Sequence, residues 1–319
     1  MSSFRTSVII VSYNSSDDIR DCVQALRGSE GTEVVVVDNA SSDGTPGLLR
    51  ALESEGLIDV LVLSAENLGF GKGVNLGIRS SHGEDLLLLN PDARLDVDAL
   101  AALRERSLDP SIGIVAPVIH SGPTIATMAA GEQPRLWPMF TQYTGIARAF
   151  PNVSWLRGRH LFFSPHAASE QSVGWVSGGC MYIPARTRAA VGMLSERWFM
   201  YGEDIEFCHR VTKAGFKIIV TPTASAEHAI GASVNRSDGA VSTMWAQNTY
   251  DYYVTEFSAG PIRRFLWRVI FSGGLLSRAV LFDVKAARSE THRDELRGRS
   301  RRFRAFADAV WRPRRAVTG

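Results

Sequence analysis

Hydrophobic and polar positions along the first 120 residues follow two alternating rhythms. Short β-branched or leucine-rich runs at Ser7–Ser12, Glu33–Val37, Val60–Leu63, Leu86–Leu89 and Ile114–Val118 predict strands. Between them, Asp17–Arg27 places Ile19, Cys22, Val23 and Leu26 on one helical face, and Pro46–Glu55 does the same with Leu48, Leu49 and Leu52. Asp43-Gly44-Thr45-Pro46 supplies a turn, a capping residue and a proline at the helix start. The alternation predicts an α/β class, with a mostly parallel sheet flanked by helices.

The rhythm fades from His120 to Gly174, where aromatic residues (Trp137, Phe140, Tyr143, Phe150, Trp155, Phe162, Phe163) are scattered among Gly, Pro and polar positions, and an irregular subdomain is expected. Regularity returns with a strand at Val176–Ile183, a helix over Ala185–Val191, and a helix from Glu203 to about Ala214 closed by Gly215. A strand follows at Lys217–Thr221. Asn235–Gly239 reads as a loop, and helical patterns follow it to the end. Three segments result: 1–119, 120–235, and a helical, basic extension over 236–319.

Composition narrows the class. With 45% hydrophobic and 21% charged residues in 319, disorder and collagen-like repeats are excluded. The net charge of +2 hides an asymmetry: Pro261–Gly319 carries 15 Lys+Arg against 5 Asp+Glu, and residues 1–260 carry 20 against 28. A basic tail on an acidic body points to an anionic partner for the tail. Cys22, Cys180 and Cys208 are odd in number and form no CxxC pair, which argues against a disulfide framework and for a reducing cytosol. The first apolar run is too short for a signal-peptide core. Phe265–Phe282, the one long apolar stretch, contains Arg268 and Arg278, so it is expected to lie on a bilayer rather than cross it.

Polar groups capable of chemistry cluster at the carboxyl ends of the predicted strands, where open α/β sheets place their ligands. Asp38 follows Val34–Val37 and can accept a hydrogen bond from a base or ribose; capping the next turn is its bland alternative. The segment Glu66–Gly77, with Asn67, Gly69, Lys72 and Asn75, is glycine-rich, and its glycines could let the backbone approach a nucleotide. It lacks the Ser/Thr that follows the lysine of a phosphate-binding P-loop, and the first strand leads into Tyr13-Asn14 rather than glycines, so neither standard nucleotide motif is present. Asn90-Pro91-Asp92 offers oxygen ligands suited to a hard divalent cation, or a plain β-turn. Glu203-Asp204 stands at a helix start, where the dipole favours the ionised carboxylate, and His228 could be a metal ligand.

Taken in order, Ser7–Asn14, the Val37-Asp38-Asn39 to Gly44-Thr45 segment, Asn67-Leu68-Gly69-Phe70 with Asn75-Leu76-Gly77, Asn90-Pro91-Asp92, and Tyr201-Gly202-Glu203-Asp204 followed by His228 resemble glycosyltransferase family 2, in its bacterial rhamnosyltransferase-like branch. The likeness covers residues 5–235. It implies a GT-A fold, a nucleotide-sugar donor, Mg²⁺ or Mn²⁺, and inversion at the anomeric carbon. On that resemblance 1–119 is the donor half and 120–235 the acceptor and catalytic half. Ser12, Tyr13, Asn14, Asp38, Asn67, Gly69, Lys72, Asn75, Asn90 and Asp92 would face the donor. Asp92 and His228 would hold the metal, and Asp204 would be the base with Glu203 its rival. Asn90 departs from the Asp-x-Asp pattern of many GT-A enzymes, leaving Asp92 as the charged ligand of that motif. Gly231-Ala232-Ser233 is expected to close over the donor.

The implied reaction moves L-rhamnose from dTDP-L-rhamnose to a glycan or polyprenyl-linked acceptor in cell-envelope synthesis. A UDP-sugar such as UDP-galactofuranose and a non-catalytic sugar-binding scaffold are the alternatives. The tail is expected to hold the protein peripherally on the cytoplasmic face of the membrane, through Phe265, Leu266, Trp267, Ile270, Phe271, Leu275 and Leu276 among arginines; its apolar residues could instead pack on the catalytic domain or a second copy. No nucleic-acid partner is expected.

Overall fold

The computed structural model describes residues 5–120, 126–127, 129–161, 168–228, 239–258 and 260–312. The chain forms two compact units. One takes in the described residues up to Gly131 and those from Leu161 to His228; the other combines Glu132–His160 with the described residues from Gly239 onward.

In the first unit the strands are β1 Thr6–Ser12, β2 Thr32–Asp38, β3 Val60–Leu63, β4 Asp85–Leu89, β5 Ala93–Arg94, β6 Ile112–His120, β7 Ala126–Thr127, β8 Ala130–Gly131, β9 Gln171–Ser172, β10 Trp175–Val176, β11 Cys180–Ile183 and β12 Lys217–His228. The central order is β3-β2-β1-β4-β11-β6-β12-β5. β1 pairs in parallel with β2 and β4, so the winding reverses between them, and the crevice beyond their carboxyl ends is where open α/β sheets bind ligands. β11 runs antiparallel to both β4 and β6. The helices of this unit are α1 Ile19–Ala25, α2 Thr45–Ser54, α3 Phe70–Ser80 and α4 Val97–Arg106, then, after α5 and α6 of the second unit, α7 Ala185–Val191 and α8 Glu203–Lys213. The core is the aliphatic set the strand pattern predicts, with Val8, Ile10, Val36, Leu49, Leu52, Leu87 and Leu89 nearly inaccessible to water.

Three expectations need correction. The glycine-rich segment 66–77 is largely the helix α3, and its glycines serve packing: a Cβ at Gly73 would stand 2.9 Å from Val11 and one at Gly77 2.6 Å from Ile9. They let α3 press onto β1, so their closeness is to protein rather than to nucleotide. The strand expected over Val176–Ile183 is two strands, broken at Ser177-Gly178-Gly179. The strand expected to stop at Thr221 runs to His228, resuming its pairing with β6 after a register shift between Thr221 and Ser225 across Pro222, which has no N–H to give a ladder.

The irregular stretch expected after His120 is also divided. Gln171–Ser172 and Trp175–Val176 join the sheets of the first unit, whereas Glu132–His160 folds with the C-terminal helices. In that second unit α5 Leu136–Thr144 and α6 Ile146–Ala149 accompany α9 Gly239–Glu256, α10 Pro261–Arg288 and α11 Arg293–Ala309. They share a core of Met139, Tyr143, Tyr253, Trp267, Phe271 and Leu275. Three of the apolar residues expected as membrane anchors, Trp267, Phe271 and Leu275, are therefore core, while Phe265, Leu266 and Leu276 remain exposed.

Gly77→Val should destabilise the protein by about 1–3 kcal/mol in urea denaturation, because the added methyls overpack the α3–β1 contact. Gly47→Ala, in α2 where an added Cβ meets nothing within 4 Å, should stabilise it by about 0.5–1 kcal/mol. Equal effects would contradict the packing role of Gly77.

Candidate active site

The end of β1 meets the end of β2 with Ser12 and Asp38 as register partners. Both are buried, and Ser12 Oγ and Asp38 Oδ1 lack a hydrogen-bond partner, while Asp38 Oδ2 accepts from Ser41 N at 3.1 Å. Two buried polar atoms left unmet at adjacent strand ends cost free energy that a ligand would repay. Tyr13 is half exposed beside them. Asn14, in the left-handed region at φ 50°, has its side-chain oxygen accept from Ser42 N at 2.9 Å, which ties the loop after β1 to the loop after β2.

The next group is held by amides. Asn39 Nδ2 donates to Asn67 Oδ1 at 2.9 Å and to Gly69 O at 3.2 Å, and Asn39 Oδ1 accepts from Leu68 N. Asn67 thus braces the entry to α3. Gly69, at φ 78°, lies where a side chain would collide with the Phe199 carbonyl. Asn75, expected to face the donor, is almost fully buried and spends its amide on Leu194 O, Glu196 Oε1 and Leu194 N, so it anchors the 194–196 loop instead. Lys72 is exposed on the first turn of α3.

Beyond β4, Asn90 N donates to Gly179 O at 2.9 Å, which continues the β4–β11 pairing by one step. Asp92 Oδ1 lies 2.9 Å from His228 Nε2, both side chains about nine-tenths buried, and Asn90 Nδ2 lies 3.4 Å from the same nitrogen. The extension of β12 produces this meeting, since His228 pairs in register with Ala93 of β5, next to Asp92. Asp92 Oδ2 is buried and without a hydrogen-bond partner. One open carboxylate oxygen beside an imidazole nitrogen fits a divalent cation that takes its remaining ligands from diphosphate oxygens and water. Among the described residues no group of three or more His, Cys, Asp or Glu forms a complete protein cage.

The carboxylate pair starts α8. Asp204 Oδ2 accepts from Gly178 N at 3.3 Å, and the first turn carries Glu203, Asp204 and Glu206 toward the positive end of the helix dipole. The chain enters this turn through Tyr201 at φ 68°, a conformation that costs a non-glycine residue about 1–2 kcal/mol. Three of the four described non-glycine residues with positive φ, Asn14, Ala40 and Tyr201, lie in these loops, the usual place for stored backbone strain. Arg210 braces the approach: it grips Glu206 at 2.6 and 2.9 Å and donates to the Met193 carbonyl at 2.8 Å.

Glu203 and Asp204 have separated environments. Glu203 is 2% exposed; its Oε1 accepts from Tyr201 N at 3.2 Å, and its Oε2 has no partner. Burial, reinforced by the neighbouring Asp204 charge, pushes its carboxyl up to about 8. Asp204 is the partly exposed member of the pair.

Sequence reasoning missed Gly178 and Gly179. A Cβ at Gly178 would stand 2.8 Å from Phe70 and 3.7 Å from the Asp204 Cβ; one at Gly179 would stand 3.2 Å from Asn90 Nδ2 and 3.4 Å from His228 Cε1. The glycine pair is the wall shared by the carboxylate at α8 and the Asp92–His228 pair. Its signal was present as two adjacent glycines interrupting an apolar run. The expected lid Gly231-Ala232-Ser233 lies outside the described residues.

Residues 7–163 match the family described as glycosyl transferase family 2. The low-salt glycan biosynthesis hexosyltransferase Agl10 of Haloferax volcanii is 31% identical over 216 residues, an alignment covering 66% of this chain and 63% of that protein, so the chain spans less than two thirds of it. The N-acetylglucosaminyl-diphospho-decaprenol L-rhamnosyltransferase of Mycobacterium tuberculosis is 27% identical over 276 residues, 80% of this chain and 87% of its own. The structure of the mannosyltransferase PcManGT from Pyrobaculum calidifontis, in complex with GDP-Man and Mn²⁺, superposes with a TM-score of 0.57 at 19% identity, covering 96% of this chain and 87% of that one. The fold is that of GT-A glycosyltransferases.

The raised Glu203 carboxyl has a measurable consequence. The folded protein keeps this proton up to about 8 and the unfolded chain releases it near 4.5, so between these values the folded state binds more protons and loses stability as pH rises. Glu203→Gln removes that loss. Its urea midpoint should rise relative to the unaltered protein between pH 5 and pH 8; parallel pH profiles would show that Glu203 is ionised in the folded state.

Proposed function

Because the chain belongs to glycosyltransferase family 2, we propose that it transfers a sugar, with inversion, from a nucleoside-diphosphate donor to a hydroxyl group of a glycan or polyprenyl-linked acceptor. The observation that carries this reading is the Gly178-Gly179 wall, which has the Asp204 carboxylate on one side and the Asp92–His228 pair on the other. That arrangement offers a proton acceptor and an anion-stabilising group to a single reacting centre.

In this reading the donor's nucleoside lies against the ends of β1 and β2, where Asp38 Oδ1 and Ser12 Oγ take up base or ribose hydrogen bonds and Tyr13 offers a ring for stacking. Asp204 accepts the proton of the acceptor hydroxyl as its oxygen bonds to the anomeric carbon, on the face opposite the departing diphosphate. Such general-base help contributes about 10²–10⁴-fold. Asp92 and His228 would hold Mg²⁺ or Mn²⁺, and the ion would supply charge neutralisation for a leaving diphosphate without proton transfer. Burial raises the Glu203 carboxyl toward its neutral form, and the more exposed Asp204 is favoured as the proton acceptor of the pair.

For the donor we favour dTDP-L-rhamnose. This choice is supported by the motif wording and by the rhamnosyltransferase among the relatives. For the acceptor we favour a lipid-linked or polysaccharide glycan in cell-envelope synthesis, met at the cytoplasmic face of the membrane; one relative is named for glycan biosynthesis and the other for N-acetylglucosaminyl-diphospho-decaprenol.

Asp204→Asn should retain donor binding while turnover falls by at least ~10²-fold; near-normal turnover would remove the base from this position. Calorimetry should show dTDP binding more tightly than UDP in the presence of Mn²⁺, and Asp92→Ala should abolish the metal's contribution to that affinity. Tighter binding of UDP would overturn the choice of donor.

A further inference from the structure

The helix α10 is long and apolar enough, by length and composition, to cross a membrane, yet it is built with two different faces. Trp267, Phe271 and Leu275 point into the core of the second unit. On the opposite side, Ile262, Leu266, Val269, Leu276, Val280 and Val284 are 41–74% exposed. At 3.6 residues per turn these six fall within an arc of roughly 80° and extend for roughly 33 Å. Gly273 is the other residue in that arc, and no charge interrupts it.

The arginines that argued against a span are turned away from this stripe. The Arg268 guanidinium lies 4.3 Å from the Tyr250 ring centroid and 5.4 Å from that of Trp311. Arg278 lies 5.0 Å from the Tyr143 ring and donates to the Gln142 carbonyl. The inward face is occupied by protein, and α11, packed along it, exposes Arg297, Arg301, Arg302 and Arg304. A crossing would carry that arginine-rich helix into hydrocarbon.

The border of the stripe is predominantly basic. Arg304 pairs with Asp283 of α10 at 2.8 Å, and Phe303 stacks on Phe282 at 5.6 Å, so the arginine edge of α11 runs beside the apolar face. Residues 261–312 carry 13 Lys+Arg against 5 Asp+Glu. Two copies joined along this stripe would bring two such edges together, and like charges disfavour that pairing. An apolar face flanked by arginines matches the interface of an anionic bilayer in both of its layers.

We propose that the outer face of α10, together with the arginine edge of α11, is an in-plane docking surface for an anionic lipid bilayer. The surface deepens the reading of a lipid-linked acceptor, because it would hold the second unit flat on the leaflet that presents such a substrate. The surface belongs to this unit alone, and its binding to lipid is measured without turnover.

The test uses the full chain and vesicles of phosphatidylcholine with or without phosphatidylglycerol. Flotation should be strong with phosphatidylglycerol at low salt, and roughly tenfold or more weaker at high salt, with phosphatidylcholine alone, or in the Leu266→Ser/Val280→Ser variant. Asp204→Asn should float like the unaltered chain, so failure of docking and failure of the catalytic reading are seen separately. The three native cysteines are buried, so Val280→Cys can be labelled selectively with an environment-sensitive fluorophore. Its emission should shift to the blue when phosphatidylglycerol vesicles are added. A full chain that stays in the soluble fraction with no shift overturns the proposal. A shift that needs no lipid and rises with protein concentration, alongside a doubled mass, also overturns it and gives the face to a second copy.

Discussion

The site depends on one local constraint, the absence of side chains at residues 178 and 179. Here the chain leaves β10 and enters β11, passing between Phe70 and Asp204 on one side and Asn90 and His228 on the other, with distances too short for a Cβ at 178 and barely sufficient at 179. Because Gly179 O holds Asn90 N and Gly178 N faces Asp204 Oδ2, the same three-residue break fixes the turn after β4 and meets the first turn of α8. A continuous strand would have pleated side chains into both groups. The antiparallel insertion of β11 between β4 and β6 thus converts a parallel sheet into one with a second chemical wall.

Around that wall the loops are held by protein hydrogen bonds rather than left to a ligand. Asn39 and Asn67 brace one another, Asn75 fastens the 194–196 loop, and Arg210 ties α8 to the 193 carbonyl. What remains unmet is a short set of buried atoms: Ser12 Oγ, Asp38 Oδ1 and Asp92 Oδ2 at the strand ends, and Glu203 Oε2 behind Asp204. The first three stand near the crevice where the sheet's winding reverses, and they differ from the bracing groups in having no protein partner. Glu203 is the exception; burial and the neighbouring Asp204 charge raise its carboxyl toward the neutral form, which lowers the cost of leaving Oε2 unmet.

Much of this was legible in the sequence, for a physical reason. Strands buried on both faces are continuous β-branched or leucine runs, so β1, β2, β4 and β6 stand within a few residues of their expected bounds, and Asp38 and Asp92 follow directly from the strands' ends. The misses share another cause: local pattern does not reveal tertiary approach. The glycines at 73 and 77 look like a loop or a nucleotide turn, yet they thin α3 where it presses on β1. Pro222 looks like a strand end, yet β12 bulges and continues, and that continuation carries His228 to Asp92. Glu132–His160 sits within the expected catalytic half in sequence, yet its Met139 and Tyr143 belong to a core shared with helices more than a hundred positions later.

The central claim is that the wall at Gly178-Gly179 unites a metal-assisted leaving-group site with a base. The most direct measurement is a crystal structure with a nucleoside diphosphate and Mn²⁺, with the metal located by its anomalous scattering. The account predicts a manganese peak within bonding distance of Asp92 Oδ2 and His228 Nε2, the diphosphate beside it, and Asp204 across the glycine pair from the terminal phosphate. Manganese bound away from Asp92, or a diphosphate seated away from the ends of β1 and β4, would contradict it.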